Sequence, residues 1–128
     1  MNVELVHPDL IPGIWGEVRG DVLKALEYTD NWNERAILQS LLAYPPTMHL
    51  WRCEKAVCVT HFSTYPTRRV CGLLLVAGQD RESWLHFQET IGRWAKENGC
   101  AELVGYARKG WLRVLDWTPD YTYIRKKL

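Results

Sequence analysis

Three consecutive runs constrain this chain more than any other stretch: RVCGLLLVAG from Arg69, QDRESWLHFQETIGRWAKENG after it, and CAELVGY up to Tyr106. In the middle run, Trp84, Phe87, Ile91, Trp94 and Ala95 recur at the spacing that gathers side chains on one helical face. Asp80 stands where it can cap the start of that helix and Gly99 where it can end it. The flanking runs Val70 to Ala77 and Ala101 to Ala107 are short, apolar and rich in branched residues, as strands buried beneath a helix are. A strand, a covering helix and a second strand form a crossover unit, so these two strands are expected to be parallel. The first amides of such a helix are a natural anion site, which draws attention to the turn Ala77-Gly78-Gln79-Asp80.

The rest of the chain supplies antiparallel strands and helices around this unit. Asn2 to Val6 reads as an edge strand stopped by His7-Pro8, and Ile11, Trp15, Val18, Val22, Ala25 and Leu26 keep helical spacing, with Asp9 or Pro12 at the start. Asn31 followed by Glu34 is a capping-box pattern opening a second helix through Ile37, Leu38, Leu41 and Leu42, which Pro45-Pro46 terminates. Trp32, in the loop between them, reads as exposed. Met48 to Cys53 and Ala56 to Tyr65 form a hairpin turning at Glu54-Lys55, and Pro66-Thr67 turns the chain back into Arg69. After the second parallel strand, Arg108 to Leu115 suits a short amphipathic helix and Tyr121 to Leu128 a final strand with a basic end.

A chain of 128 residues suits one domain, 1–128, with one sizeable core. Lys plus Arg number 16 against 15 Asp plus Glu, so there is no global basic field to drive non-specific nucleic-acid binding. Seven Trp and six Tyr exceed what a core of this size needs, and place some aromatics at a surface that meets another molecule. No run has the order of a signal peptide or the ~20 apolar residues that span a bilayer, so a soluble protein of a reducing compartment is expected. The four cysteines Cys53, Cys58, Cys71 and Cys100 make no CxxC pair and read as buried free thiols.

The order strand, helix, helix, three antiparallel strands, long helix, strand, short helix, strand resembles the GNAT superfamily of N-acetyltransferases over nearly the whole chain. The fold class this implies is α/β, a GNAT-like mixed sheet with antiparallel N-terminal strands and a parallel central pair, flanked by helices. The opening IWGEVRGDVLKALE and the tail GYARKGWLRVLDWTPDYTYIRKKL look in particular like small GNAT-fold proteins of tailed bacteriophages, some of which are virion proteins.

In enzymes of that superfamily a glycine-rich turn of the form Q/R-x-x-G-x-G/A wraps the pyrophosphate of acetyl-CoA. This chain supplies Gly78 alone and then sets Asp80 and Glu82 on the first helical turn, where they satisfy the amides and the helix dipole themselves. Two carboxylates repel a diphosphate, and Arg81 offsets only part of that. The family's proton-donating Tyr falls near Leu115, leaving Tyr106 as the nearest substitute. The imidazoles placed to act as a base are His61 and His49, each in a strand beside apolar neighbours. A zinc site of His49, Cys53, Cys58 and His61 is disfavoured, because Cys53 and Cys58 share a face only diagonally.

Two expectations follow. The leading one is a non-catalytic accessory or structural component of a phage assembly, located in the virion or the host cytoplasm, with no cofactor and no metal. It would dock onto other protein subunits through Trp32, Arg108, Lys109, Trp111, Arg113 and Trp117, with nucleic acid ranked below protein as the partner and no membrane. The competing one is an N-acetyltransferase that still holds acetyl-CoA at Gly78, Gln79, Asp80 and Arg81, with His61 as base and Tyr106 as acid.

Overall fold

The computed structural model describes residues 2–78, 81–106 and 116–128, with residues 81–84 described by their backbone alone. A short strand, β1 (Glu4–Leu5), leads through one 3₁₀ turn into α1 (Ile11–Leu26) and α2 (Glu34–Leu42). Then come β2 (Met48–Cys53), β3 (Ala56–Thr64), β4 (Arg69–Gly78), α3 (Arg81–Glu97) and β5 (Glu102–Gly105). The five strands lie in one sheet in sequence order. β1 to β4 pair antiparallel with their neighbours, and β4 pairs parallel with β5. The expected mixed α/β architecture is therefore present, with α1 and α2 on one face and α3 on the other.

Alternation along the strands feeds a core on each face. Met48, Leu50, Val57, Val59, Leu75 and Ala77 meet Ile11, Trp15, Val18, Val22, Ile37 and Leu41 of the first two helices. Trp51, Ala56, Cys58 and Cys71 meet Phe87, Ile91 and Ala95 of α3 on the opposite face. Ile91 and Val22 are completely enclosed, and burying each such side chain is worth about 1.5–3 kcal/mol. Gly99 ends α3 in the left-handed conformation, at φ 83°, which a side chain would strain.

Several boundaries differ from the sequence reading. β1 is limited to Glu4–Leu5, because its pairing with β2 extends only over Arg52 and Trp51. Asn33, not Asn31, caps α2, its Oδ1 accepting the Ala36 amide at 2.9 Å. Glu34 is drawn across to α1 instead, accepting from Trp15 Nε1 at 3.0 Å and from Arg19 Nη2 at 3.2 Å. A guanidinium partner outweighs the reciprocal amide bond a capping box offers. Trp32 is half-buried against the core between α1, α2 and the sheet, not exposed.

The expected strand from Tyr121 to Leu128 is not formed; residues 116–128 have no regular secondary structure. Strand propensity is realised only by pairing, and this segment makes its contacts through side chains with three separate elements. The expected helix Arg108 to Leu115 lies outside the described residues, as does the proposed cap Asp80.

Candidate active site

The parallel pairing covers only the first part of β4. β4 and β5 are in register from Val70 opposite Glu102 to Leu73 opposite Gly105, and β5 ends there. At the same level β4 changes phase against β3, since Thr60 faces Leu73 while Val59 faces Leu75. Leu74 is the extra residue of a β-bulge, and both Leu74 and Leu75 pack toward the α1/α2 core. A bulge bends its strand and steepens the local twist. From Leu74 to Gly78, β4 keeps β3 on one side and, among the described residues, has no strand on the other. The crevice outside the carboxyl ends of the strands is where open α/β sheets bind ligands.

Beyond this edge lies the β4–α3 turn. Gly78 sits opposite Ala56, and a Cβ built on it would stand 2.5 Å from the Ala56 Cβ, 2.5 Å from the Lys55 carbonyl oxygen and 2.7 Å from the Ala56 Cα. This glycine lets the β2–β3 hairpin close against the end of β4, a role independent of any phosphate. Gln79 and Asp80 lie outside the described residues, and Arg81 is described by its backbone as the first residue of α3.

His61 reaches the pair from the next strand. It lies on one rung with Gly72 and Val104, on the face that carries α1 and α2. Its ring occupies the space a side chain at position 72 would need, since a Cβ there would be 2.6 Å from His61 Nε2 and 3.0 Å from Cδ2. Burial pushes the His61 pKa below its ordinary value, so the imidazole is neutral at pH 7 and able to accept a proton. Tyr106 follows β5 directly, where its pairing with β4 ends, and is 89% exposed. Its ring meets Tyr123 edge-on, with centroids 5.6 Å apart. His61 and Tyr106 thus stand on the two strands that flank β4, His61 within β3 and Tyr106 just past the end of β5.

His49 has a different role. Its register opposite Thr60 sets it on the α3 face, away from His61, so the four-residue metal set is divided between the two faces of the sheet. The imidazole packs against Phe62 and Trp94, with centroids 4.9 and 4.8 Å away, and burial keeps it neutral. Trp51 Nε1 donates to the buried Thr60 hydroxyl at 3.0 Å, completing this aromatic layer. Burial raises the thiol of Cys58 and takes that of Cys71 up to about 12, so both are protonated and inert. Among the described residues no three His, Cys, Asp or Glu side chains gather as metal ligands.

Of the residues expected to dock a partner, only Trp32 and Trp117 are among the described residues. Trp32 lies by α2, while Trp117 is half-buried at the other end, its Nε1 donating to Gln88 Oε1 of α3 at 2.8 Å. Arg108, Lys109, Trp111 and Arg113 lie outside the described residues. Sequence reasoning missed Gly72 and the Leu74 bulge. The signals were present: a lone glycine inside a strand often marks close approach, and three consecutive leucines break strict alternation.

No protein-family model matches this chain, and no curated protein matches it. Solved structures match its fold along the whole length. An aminoglycoside acetyltransferase from an uncultured soil metagenomic sample, in complex with sisomicin, has a TM-score of 0.72 at 11% identity, over 99% of this chain and 94% of that one. A ribosomal-protein-alanine N-acetyltransferase from Brucella melitensis biovar Abortus has a TM-score of 0.71 at 10% identity, over 99% of both chains. A predicted acetyltransferase from Clostridium acetobutylicum, solved with acetyl-CoA, has a TM-score of 0.67 at 12% identity, over 98% of this chain and 95% of that one. Identities this low speak to the fold. They also correct the leading expectation of a non-catalytic structural component, because the activity these neighbours carry in their names is acetyl transfer.

Proposed function

We propose that this chain, which has the fold of the GNAT superfamily, is an N-acetyltransferase that takes its acetyl group from acetyl-CoA. The observation that carries this reading is the end of β4–β5 pairing at Leu73 and Gly105, beside the bulge at Leu74, which leaves Leu74 to Gly78 without a strand on that side among the described residues. Backbone groups from Leu74 to Gly78 suit the two amides of a pantetheine arm, which pair with a sheet edge as a strand does. The diphosphate end is served less well, since Gly78 is occupied by packing against Ala56 and the sequence that follows it carries the carboxylates of Asp80 and Glu82. The affinity expected is therefore micromolar.

Acetyl-CoA supplies an activated thioester. The protein's part is to move two protons. The neutral His61 accepts the proton that the acceptor amine loses as the new C–N bond forms. The Tyr106 hydroxyl donates to the sulfur as the C–S bond breaks. General acid–base assistance of this kind contributes about 10²- to 10⁴-fold. The resemblance of the opening and tail to small phage-encoded proteins supports a phage origin and action in the host cytoplasm. Among the described residues, no helix is long and apolar enough to cross a membrane.

Isothermal titration with acetyl-CoA tests the reading. Micromolar binding is expected, and absence of heat at millimolar acetyl-CoA overturns it.

A further inference from the structure

The C-terminal segment reaches α3, the end of β5 and the α1–α2 loop. At its start, Trp117 is held on α3 by Gln88, and its ring lies 3.9 Å from where a Cβ on Gly105 would stand. In its middle, Tyr123 packs edge-on against Tyr106. Near its end, Arg125 Nη1 donates to Asp30 Oδ2 at 2.8 Å, in the loop between α1 and α2. Because α3 and α1 cover opposite faces of the sheet, residues 117–125 pass from one face to the other around the carboxyl end of β5. That is the level at which β4–β5 pairing ends.

The two fastenings differ in strength. Trp117 is half-buried, with its indole N–H satisfied. The Arg125–Asp30 pair is 64% and 81% exposed, and such pairs contribute little and are screened by salt. Between them Tyr121, Tyr123 and Ile124 are 93%, 65% and 85% exposed, so little beyond the Tyr123–Tyr106 ring contact fixes the segment there. A segment firm at one end and weakly tied at the other opens at the weak end.

We propose that residues 117–125 are a latch over the acceptor side of the cleft, anchored at Trp117 and released at the Arg125–Asp30 ion pair, so that it decides which amines reach His61. This rests on the transferase reading and deepens it. With the latch closed the α1/α2 side of the cleft admits a small amine, and a peptide amine enters only when Arg125 leaves Asp30. Acetyl-CoA, seated along the free edge of β4, is unaffected by the latch.

The test compares Arg125→Glu, Asp30→Arg and the double charge exchange with the wild-type chain. Phenethylamine and an alanine-led hexapeptide serve as acceptor probes, read by thiol release from acetyl-CoA. Each single variant is expected to raise the peptide's kcat/KM relative to that of phenethylamine by about two- to fivefold, the range an exposed ion pair supplies. The double exchange restores the wild-type ratio, and acetyl-CoA affinity stays constant throughout. Amide hydrogen exchange over 118–125 is expected to quicken in the single variants and recover in the double. An unchanged ratio in both single variants overturns the latch. If the wild-type chain takes up no acetyl-CoA, the transferase reading fails separately, and unchanged exchange over 118–125 in the single variants then overturns the latch on its own.

Discussion

Replacing Gly78 with alanine separates two reasons for a glycine at the end of β4. The added Cβ would stand 2.5 Å from the Lys55 carbonyl oxygen and 2.7 Å from the Ala56 Cα, both backbone atoms of the β2–β3 turn. Contacts of that kind need roughly 1 Å more, and no rotamer change supplies it, so the hairpin or the end of β4 must move. Overpacking costs about 1–3 kcal/mol, and a clash against backbone belongs at the upper end. A loss of ~3 kcal/mol is a large part of a total that is typically ~5–15 kcal/mol, and lowers Tm by roughly 10 °C. Gly16→Ala is the control. A Cβ there meets nothing within 4 Å, so the helix gains about 1 kcal/mol as glycine's backbone entropy cost is removed. Urea denaturation of the two variants beside the wild-type chain reads both effects. A Gly78→Ala midpoint equal to wild type, together with weakened acetyl-CoA binding, would refute packing as this glycine's role and return it to the phosphates.

Gly72→Ala should displace the His61 ring, whose Nε2 would lie 2.6 Å from the new methyl; NMR titration should then show the His61 pKa returning upward as the imidazole is driven into water. His61→Gln should lower turnover by about 10²- to 10⁴-fold while leaving acetyl-CoA affinity unchanged, and equal turnover would remove it as the base. His49 and His61 both have folded pKa values below the unfolded one, so the unfolded chain binds more protons and stability falls as pH drops from about 6.5 through the lowered values. Urea midpoints between pH 7.5 and 5 should record that decline, and a flat profile would contradict the burial of these imidazoles. Cys58 and Cys71 should resist a thiol-specific reagent in the native state and react once urea unfolds the chain.

Local composition and periodicity were enough to locate α1, α2, α3 and β2 to β5, because each carries an apolar run or an apolar face and ends at a glycine, a proline or a polar turn. His61 and Tyr106 were legible as candidates from residue type alone. What the sequence could not determine is everything that depends on register between strands. That Gly72 makes room for His61, that Gly78 is consumed by packing on Ala56, and that Leu74 is the extra residue of a bulge all follow from which residues face each other across β3, β4 and β5. A strand's own sequence specifies which side chains alternate, but a bulge resets that alternation at a point fixed only by the neighbouring strand. The tail shows the same division. Its composition favours a strand, yet Trp117, Tyr123 and Arg125 find partners on α3, beside β5 and in the α1–α2 loop, and those distant side chains decide the path it takes.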